Sequence, residues 1–209
     1  MSRILTVDCH PVVRAGLNCI LSREMDIQFW GETDSRKTAI EIVNSERPEL
    51  VLLDLCGSGI ELIEDIVRLF PAVSILVFSQ LDELLFSERA LRAGARGYIM
   101  KTAQPEEILL ATRSVLRGEI YLSAPMRAKI VERATLHGGN AGITSADRLS
   151  DRELEVFELI GQGMSTRRIA EKLTLSVKTI ETYRAHLKKK LGLLDGAELV
   201  QFAVKSLLI

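Results

Sequence analysis

The first 118 residues alternate between short apolar segments and longer amphipathic segments, with five of each kind. The short segments are rich in branched and aromatic residues and read RILTVD, IQFWG, ELVLLD, SILVFS and RGYIM. Strands that alternate with helices are typical of a parallel sheet with helices on both faces. The nearly unbroken apolar runs LVLL and ILVF fit strands buried on both sides. The pattern predicts an α/β domain with a doubly wound sheet of five parallel strands.

A second, purely helical pattern begins at Leu149. SDRE at 150–153 matches a capping box between Ser150 and Glu153 and opens the helix DRELEVFELIGQG. Two further helical segments, TRRIAEKL and VKTIETYRAHLKKKL, are joined by the short turn TLS, and a last helix runs from about Asp195 to Leu207. Two helices joined by a tight turn are typical of a helix-turn-helix unit. The pattern predicts a small all-α domain of four helices.

Small residues and glycines separate the two patterns. Residues 121–134 have the composition of a helix, and HGGNAGITSAD follows them as a flexible linker. We therefore predict a first domain at 1–120, a linker helix and flexible linker at 121–148, and a helical domain at 149–209.

The formal net charge of −1 conceals a basic segment in the helical domain. Between Ser165 and Leu191, eight Lys or Arg residues stand against two Glu residues, a local charge of +6. Such a segment is the electrostatic signature of a protein that binds the phosphate backbone of nucleic acid. No apolar run approaches the roughly 20 residues that cross a bilayer, and the three cysteines lack metal-site spacing. We expect a cytoplasmic protein without a membrane segment.

The segment 177–191 has one apolar face and one polar face. Ile180, Leu187 and Leu191 recur at helical spacing and should pack inward. Short or polar side chains on the other face suit base edges in the major groove, and their cationic or polar neighbours suit phosphates. The candidate DNA-binding residues are Lys178, Thr179, Glu181, Thr182, Tyr183, Arg184, Ala185 and Lys188, with Glu181 and Thr182 assigned to the bases. Taken alone, the run 188–190 also fits a solvated helix end, where cations favour the helix dipole.

A family resemblance rests on these residues. LSDRELEVFELIGQGMSTRRIAEKLTLSVKTIETYRAHLKKKLG resembles the LuxR-type DNA-binding domain, whose pattern runs L-[ST]-x-R-E-x-x-V, then G, then I-A, then S-x-x-T-V-x-x-[HY]. The resemblance implies that the helix from Val177 enters a groove of double-stranded DNA. It also implies that the last helix, GAELVQFAVKSLL, helps to form a homodimer on a two-fold site.

Polar residues follow four of the predicted strands. Each of these residues comes directly after an apolar run or ends one. They are Asp8 with Cys9, Asp54, Ser79 and Lys101. In open parallel sheets, sites lie beyond the carboxyl ends of the strands. A carboxylate that attacks phosphorus forms an acyl phosphate, and an amine or a cation offsets the phosphoryl charge. Asp54 is therefore a candidate phosphoryl acceptor, unless Lys101 is only a surface ion-pair partner.

The first 120 residues resemble a response-regulator receiver, a flavodoxin-like fold. The segments that carry the resemblance are HPVVRAGL, VLLD, VFSQ, AGARGYIMK and EEILLATRSVLRGE. With the LuxR-type domain, the whole chain resembles a NarL/FixJ-type response regulator. The resemblance implies that Asp54 is the phosphoacceptor, that Ser79 and Lys101 contact the phosphoryl group, and that Tyr98 is the switch aromatic. It further implies a sensor histidine kinase as donor and a homodimer through the receiver and the last helix.

Two positions depart from the receiver pattern. The family has two adjacent acids after the first strand, where this chain has Asp8 and Cys9, and it has D-x-x-M-P where this chain reads DLCGS. The resemblance implies a Mg²⁺ site made by Asp8, Asp54 and the backbone carbonyl of Cys56. Mg²⁺ prefers oxygen ligands, whereas a thiol is soft and mostly neutral at its unperturbed pKa. We expect weakened Mg²⁺ binding and slower or absent phosphotransfer.

Three alternatives stay open. Cys9 and Cys56 form either a redox pair or two small buried hydrophobes, as free cysteines often are, and Cys19 is expected in the core. The receiver is controlled either by phosphorylation or, as an atypical receiver, by protein contact, a ligand or thiol oxidation. A phosphatase of the haloacid dehalogenase type needs a second Asp two residues after the first, but Cys56 stands there. We therefore expect a DNA-binding regulator that is not an enzyme.

Overall fold

A computed structural model describes residues 1–55, 59–136 and 149–208. The chain divides into two compact units, 1–129 and 130–209. The predicted flexible segment HGGNAGITSAD and the residue Cys56 lie outside the described residues. The predicted domain limits at 120 and 149 stay predictions.

The first unit contains the five-stranded parallel sheet that the sequence predicts. Its strands pair in the order β2-β1-β3-β4-β5. They are β1 Ser2–Val7, β2 Ile27–Thr33, β3 Leu50–Leu53, β4 Ser74–Ser79 and β5 Gly97–Met100. The apolar run LVLL of β3 is at most 1% exposed along its length, because helices cover this central strand on both faces.

Helices follow each strand, and short-range signals fix where several of them begin. Pro11 and Pro105 stand in the first turns of α1 and α5, where their missing N–H groups cost nothing. Ser35 caps α2 by accepting a hydrogen bond from the backbone N–H of Thr38. The helices are α1 Pro11–Leu21, α2 Arg36–Glu46, α3 Gly59–Leu69, α4 Glu83–Ala93, α5 Pro105–Leu116 and α6 Ala124–Leu136.

The register of the sheet brings the carboxyl ends of the strands to one edge. Val7 pairs with Leu53, and Ser79 pairs with Met100. Since the strands are parallel, the residues that end β4 or follow β1, β3 and β5 meet at this edge. The fold therefore places four of the predicted polar residues together.

The prediction that Cys19 lies in the core is wrong. Leu17 and Leu21 are the buried residues of α1, whereas Cys19 is exposed. Leu17 and Leu21 are four residues apart and share one face of the helix, and a residue halfway between them lies on the opposite face.

The second unit has the four helices that the sequence predicts. They are α7 Asp151–Gly161, α8 Thr166–Leu173, α9 Val177–Leu191 and α10 Gly196–Leu208. The capping box is present in both directions: the Ser150 side chain accepts from the backbone of Glu153, and the Glu153 side chain accepts from the backbone of Ser150. Ser165 and Ser176 cap α8 and α9, as predicted, by accepting hydrogen bonds from backbone N–H groups in the first turn.

The apolar faces of these helices form a small core. Ile180 and Leu187 of α9 are completely buried, as predicted, and Leu191 is half-buried. Phe157 of α7 is 1% exposed, and its ring centroid lies 5.8 Å from that of Phe202 in α10. The opposite face of α9 stays exposed.

Candidate functional site

The edge of the sheet holds a compact cluster around Asp54. The side chain of Asp54 is 3% exposed, and both of its oxygens accept hydrogen bonds. Oδ1 accepts from the Ser79 hydroxyl at 2.7 Å, and Oδ2 accepts from Lys101 Nζ at 2.8 Å. Lys101 Nζ also lies 2.7 Å from Asp8 Oδ2. Four residues that the sequence marked as strand ends thus contact one another.

Lys101 is the central cation of the cluster. Its side chain is 10% exposed, while those of Asp8 and Asp54 are 1% and 3% exposed. Burial on its own lowers the pKa of Lys101, but the contacts with Asp54 and Asp8 outweigh it and raise this pKa above its ordinary value. Lys101 is therefore charged near neutral pH, and it is a buried ion-pair partner instead of an ordinary surface one.

His10 is a further member of the cluster. The sequence placed it at the end of the first strand but gave it no role as a ligand. Its backbone N–H donates to Asp8 Oδ1 at 2.7 Å, and its ring Nδ1 lies 3.0 Å from the same oxygen. Nδ1 also lies 3.3 Å from Lys101 Nζ and 3.3 Å from Cys9 Sγ. The signal was the position of His10 two residues after Asp8, but no spacing pattern marks a single histidine as a ligand.

Cys9 lies at the outer side of the cluster. The residue is exposed, so it is not a buried hydrophobe. One ligand atom each from Asp8, Cys9, His10 and Asp54 fits within 4.8 Å of the others. Cys56, the partner in the redox hypothesis and a candidate Mg²⁺ ligand through its carbonyl, lies outside the described residues, so both hypotheses stay predictions.

Tyr98 is completely buried next to the cluster. Its hydroxyl donates to the backbone carbonyl of Leu81 at 2.7 Å. The backbone N–H of Leu81 in turn donates to the Ser79 hydroxyl at 3.4 Å. Burial raises the pKa of Tyr98 well above its ordinary value, so its hydroxyl keeps its proton. A short chain of contacts therefore joins Asp54, Ser79, Leu81 and Tyr98.

The polar face of α9 is the candidate DNA-binding surface. Lys178, Glu181, Thr182 and Ala185 are exposed. Thr182 donates its hydroxyl to the carbonyl of Lys178 at 3.0 Å. The remaining candidates, which are half-buried, are Thr179, Tyr183, Arg184 and Lys188. The face presents short and cationic side chains together, which a helix in the major groove requires.

One lysine of the run 188–190 has a structural partner. Lys190 Nζ donates to Glu153 Oε2 at 2.6 Å, and this carboxylate is 3% exposed. His186 Nδ1 lies 3.6 Å from Glu153 Oε1. Burial on its own raises the pKa of Glu153, but the contacts with Lys190 and Ser150 outweigh it and lower this pKa. Glu153 therefore caps α7 and ties it to α9.

We expect Glu153→Gln to cost about 1–3 kcal/mol of stability near neutral pH, because it removes a charge-assisted contact at a buried site. Since folding lowers this pKa, the carboxylate's contribution is present above the unfolded value near 4.3 and is lost as the pH falls through the folded value. Urea unfolding followed by circular dichroism between pH 7 and pH 3 measures this loss. The variant should lose less stability on acidification than the wild type.

The exposed Glu171→Gln change, in α8, is the matched control and should leave the pH dependence intact. Equal acid sensitivity of Glu153→Gln and the wild type would contradict the role of Glu153.

Taken together, the chain combines a receiver-type fold, which carries a buried aspartate, with a helix-turn-helix unit. Residues 4–113 match the model of the response regulator receiver domain, and residues 147–203 match that of the bacterial regulatory proteins of the luxR family. The chain belongs to the response regulators of the NarL/FixJ type and is a two-component transcription regulator with a LuxR-type DNA-binding domain. Control without phosphorylation, the alternative considered above, is not favoured by these matches.

None of the described helices is long and apolar enough to span a membrane.

Known proteins resemble the chain over its full length. The oxygen regulatory protein NreC of Staphylococcus aureus is 35% identical over 214 residues, with 99% of each chain covered. The structure of RcsB from Salmonella enterica serovar Typhimurium bound to promoter rprA in the presence of phosphomimetic BeF₃⁻ is 25% identical, with a TM-score of 0.73, and covers 98% of this chain and 99% of RcsB. A structure of two RcsB dimers bound to two parallel DNAs is 25% identical, with a TM-score of 0.61, and covers 98% of each chain.

Proposed function

We propose that a sensor histidine kinase phosphorylates Asp54 and that this modification controls the binding of double-stranded DNA by the helix-turn-helix unit. The observation that carries the proposal is the environment of Asp54. Its carboxylate is buried, accepts from the Ser79 hydroxyl at 2.7 Å and accepts from the Lys101 amine at 2.8 Å. These two donors suit a phosphoryl group attached at this position.

The proposed step exchanges one bond to phosphorus for another. An Asp54 oxygen forms a bond to the phosphorus of a phosphohistidine, the P–N bond breaks, and the leaving imidazole takes up a proton from water. Both Asp54 oxygens are hydrogen-bonded before the step. Once one oxygen bridges to phosphorus, Ser79 and Lys101 are placed to donate to the phosphoryl oxygens.

A divalent cation at this pocket would offset the charge of the phosphoryl group. Asp8 and Asp54 would hold Mg²⁺, with the backbone carbonyl of Cys56 as a further ligand. The burial of both carboxylates supports this assignment, because the side chains of Asp8 and Asp54 are 1% and 3% exposed and meet at Lys101 in one pocket. The thiol of Cys9 in place of a second acid makes this Mg²⁺ binding weak.

The contact chain from Asp54 to Tyr98 suggests how the receiver responds. Ser79 Oγ contacts both Asp54 Oδ1 and the backbone N–H of Leu81, whose carbonyl holds the Tyr98 hydroxyl. If the Ser79 hydroxyl turns to a phosphoryl oxygen, the backbone N–H of Leu81 loses its hydrogen bond to this hydroxyl. Because the Tyr98 hydroxyl is bonded to the carbonyl of Leu81, the change reaches Tyr98, which acts as the switch aromatic. Phosphorylation then shifts an existing equilibrium between inactive and active receivers.

The DNA-binding part of the proposal assigns the exposed face of α9 to the major groove. Glu181 and Thr182 read base edges, while the neighbouring cationic and polar residues contact phosphates. RcsB binds DNA as dimers, and we propose a homodimer through α10 and the receiver for this chain as well. A cytoplasmic location is part of the proposal, since the protein has to meet both DNA and its kinase.

We expect substitutions on this face to separate specificity from affinity. Glu181→Ala and Thr182→Ala should relax base preference, whereas Lys178→Ala should weaken binding to all sequences and reduce the salt slope by about 1. Binding to duplexes enriched from a random library, compared with scrambled duplexes at several salt concentrations, measures both effects. An equal loss on all duplexes for all three variants would contradict the assigned face.

The phosphorylation itself is tested by intact mass. With Mg²⁺ and an acyl phosphate as donor, the wild type should gain one phosphoryl group and Asp54→Asn none. Asp34→Asn is the matched control, because Asp34 is an exposed acid that follows β2 at the same edge of the sheet. No adduct on the wild type at saturating Mg²⁺, or an unchanged adduct on Asp54→Asn, would contradict the proposal.

A further inference from the structure

We infer that the Asp54 pocket binds a sulfur- and nitrogen-preferring divalent cation, with Zn²⁺ as the reference ion, more tightly than it binds Mg²⁺. The inference deepens the proposed function, since both concern the same pocket. Its basis is the set of donor atoms: Asp8, Cys9, His10 and Asp54 bring two carboxylates, a thiol and an imidazole within 4.8 Å of one another. Thiolate and imidazole ligands suit Zn²⁺, whereas Mg²⁺ takes oxygen ligands in a nearly ideal octahedron.

The distances inside the cluster suit a small tetrahedral ion. His10 Nδ1 lies 3.3 Å from Cys9 Sγ and 3.0 Å from Asp8 Oδ1. Zinc bonds of about 2.0–2.3 Å place tetrahedral ligands roughly 3–4 Å apart. The four donor atoms therefore need only small movements to surround one ion.

A second observation is the charge balance of the cluster. Two buried carboxylates share one ammonium group, since Lys101 Nζ lies 2.7 Å from Asp8 Oδ2 and 2.8 Å from Asp54 Oδ2. Lys101 Nζ occupies the side of the cluster between Asp8 Oδ2 and Asp54 Oδ2. His10 Nδ1 lies 3.3 Å from this amine, and the outer side of the cluster is open to solvent, since the His10 side chain is 45% exposed and Cys9 is exposed. A cation has access from this side.

Binding at this site changes the state of Cys9. The thiol coordinates as a thiolate, and its proton passes to the solvent. The three negative charges of two carboxylates and one thiolate are then balanced by the two positive charges of the metal ion and the one of Lys101. An acid at position 9 would supply an oxygen instead and favour Mg²⁺, so this one residue decides which kind of ion the pocket prefers.

The test uses the full chain and Co²⁺ as a spectroscopic substitute for Zn²⁺. A thiolate bound to Co²⁺ gives a charge-transfer band in the near ultraviolet, and Zn²⁺ should displace the ion and abolish the band. We expect Cys9→Ser to remove the band and to weaken Zn²⁺ binding by at least about tenfold. Cys9→Asp should weaken the binding of Zn²⁺ and strengthen the binding of Mg²⁺, and calorimetry measures both affinities.

Cys19→Ser is the control and should keep the band, because Cys19 is an exposed thiol in α1 that is not part of the cluster. A band that survives in Cys9→Ser, Zn²⁺ affinity that neither Cys9→Ser nor His10→Ala reduces, or tighter binding of Mg²⁺ than of Zn²⁺ by the wild type would overturn the inference. Metal titration needs no phosphoryl donor. Failure of this inference is therefore distinguishable from failure of Asp54 phosphorylation, which the mass measurement reports separately.

Discussion

Lys101→Met should slow phosphoryl transfer to Asp54 by about 10²–10³-fold, the usual cost of removing one donor that stabilises charge in a transition state. Lys101 Nζ lies 2.8 Å from Asp54 Oδ2 and 2.7 Å from Asp8 Oδ2, in a pocket where all three side chains are at most 10% exposed. The methionine keeps most of the side-chain volume but carries no charge. Two buried carboxylates then face the incoming phosphoryl group without their cation.

The rate of adduct formation with an acyl phosphate, followed by intact mass, measures this effect. Lys37→Met is the matched control, because the Lys37 side chain is 87% exposed in the same unit and should leave the rate unchanged. The fluorescence of Trp30, the one tryptophan of the chain, reports whether the receiver remains folded. A folded Lys101→Met protein that is phosphorylated within about threefold of the wild-type rate would contradict the role of Lys101.

Phe157→Ala should destabilise the helical unit by about 3–5 kcal/mol, as large-to-small changes at buried aromatic positions do. Phe157 is 1% exposed and packs against Phe202, with ring centroids 5.8 Å apart. The substitution opens a cavity between α7 and α10. A domain of this size buries a limited apolar area, so such a loss is a large fraction of its stability, and DNA binding should fall with it.

Urea unfolding resolves this effect by unit. Circular dichroism reports the helices of both units, whereas the fluorescence of Trp30 in β2 reports only the receiver. In Phe157→Ala, part of the circular dichroism change should therefore move to lower urea concentration while the fluorescence transition stays unchanged. Leu194→Ala is the control, since Leu194 is 87% exposed. A cost below about 1 kcal/mol for Phe157→Ala would show that the packing of α7 on α10 contributes little.

The strands and their polar ends were predictable because they depend on local pattern and on parallel register. Runs such as LVLL identify a buried strand, and once the strands are parallel, Asp54, Ser79 and Lys101 must meet at one edge. The caps at Ser150, Ser165 and Ser176 were predictable for the same reason, since a capping hydrogen bond spans only three residues.

Contacts that depend on the direction of a single side chain were not predictable. The contacts of His10 with Asp8, Cys9 and Lys101 follow from the backbone path after β1, which no residue pattern specifies. The pair between Glu153 and Lys190 joins residues 37 positions apart on two helices, so the sequence showed only a basic helix end. Cys19 was assigned to the wrong face because Leu17 and Leu21 form the buried stripe of α1, and the residue halfway between them lies on the opposite side.

If phosphorylation of Asp54 controls DNA binding, the affinity of the full chain for one enriched duplex should change when an acyl phosphate is added. The two affinities of the wild type should differ by at least about fivefold, the lower range of allosteric coupling. In Asp54→Asn they should be equal. A wild-type ratio near one despite a complete adduct, or the same ratio in Asp54→Asn, would show that phosphorylation of Asp54 does not control DNA binding.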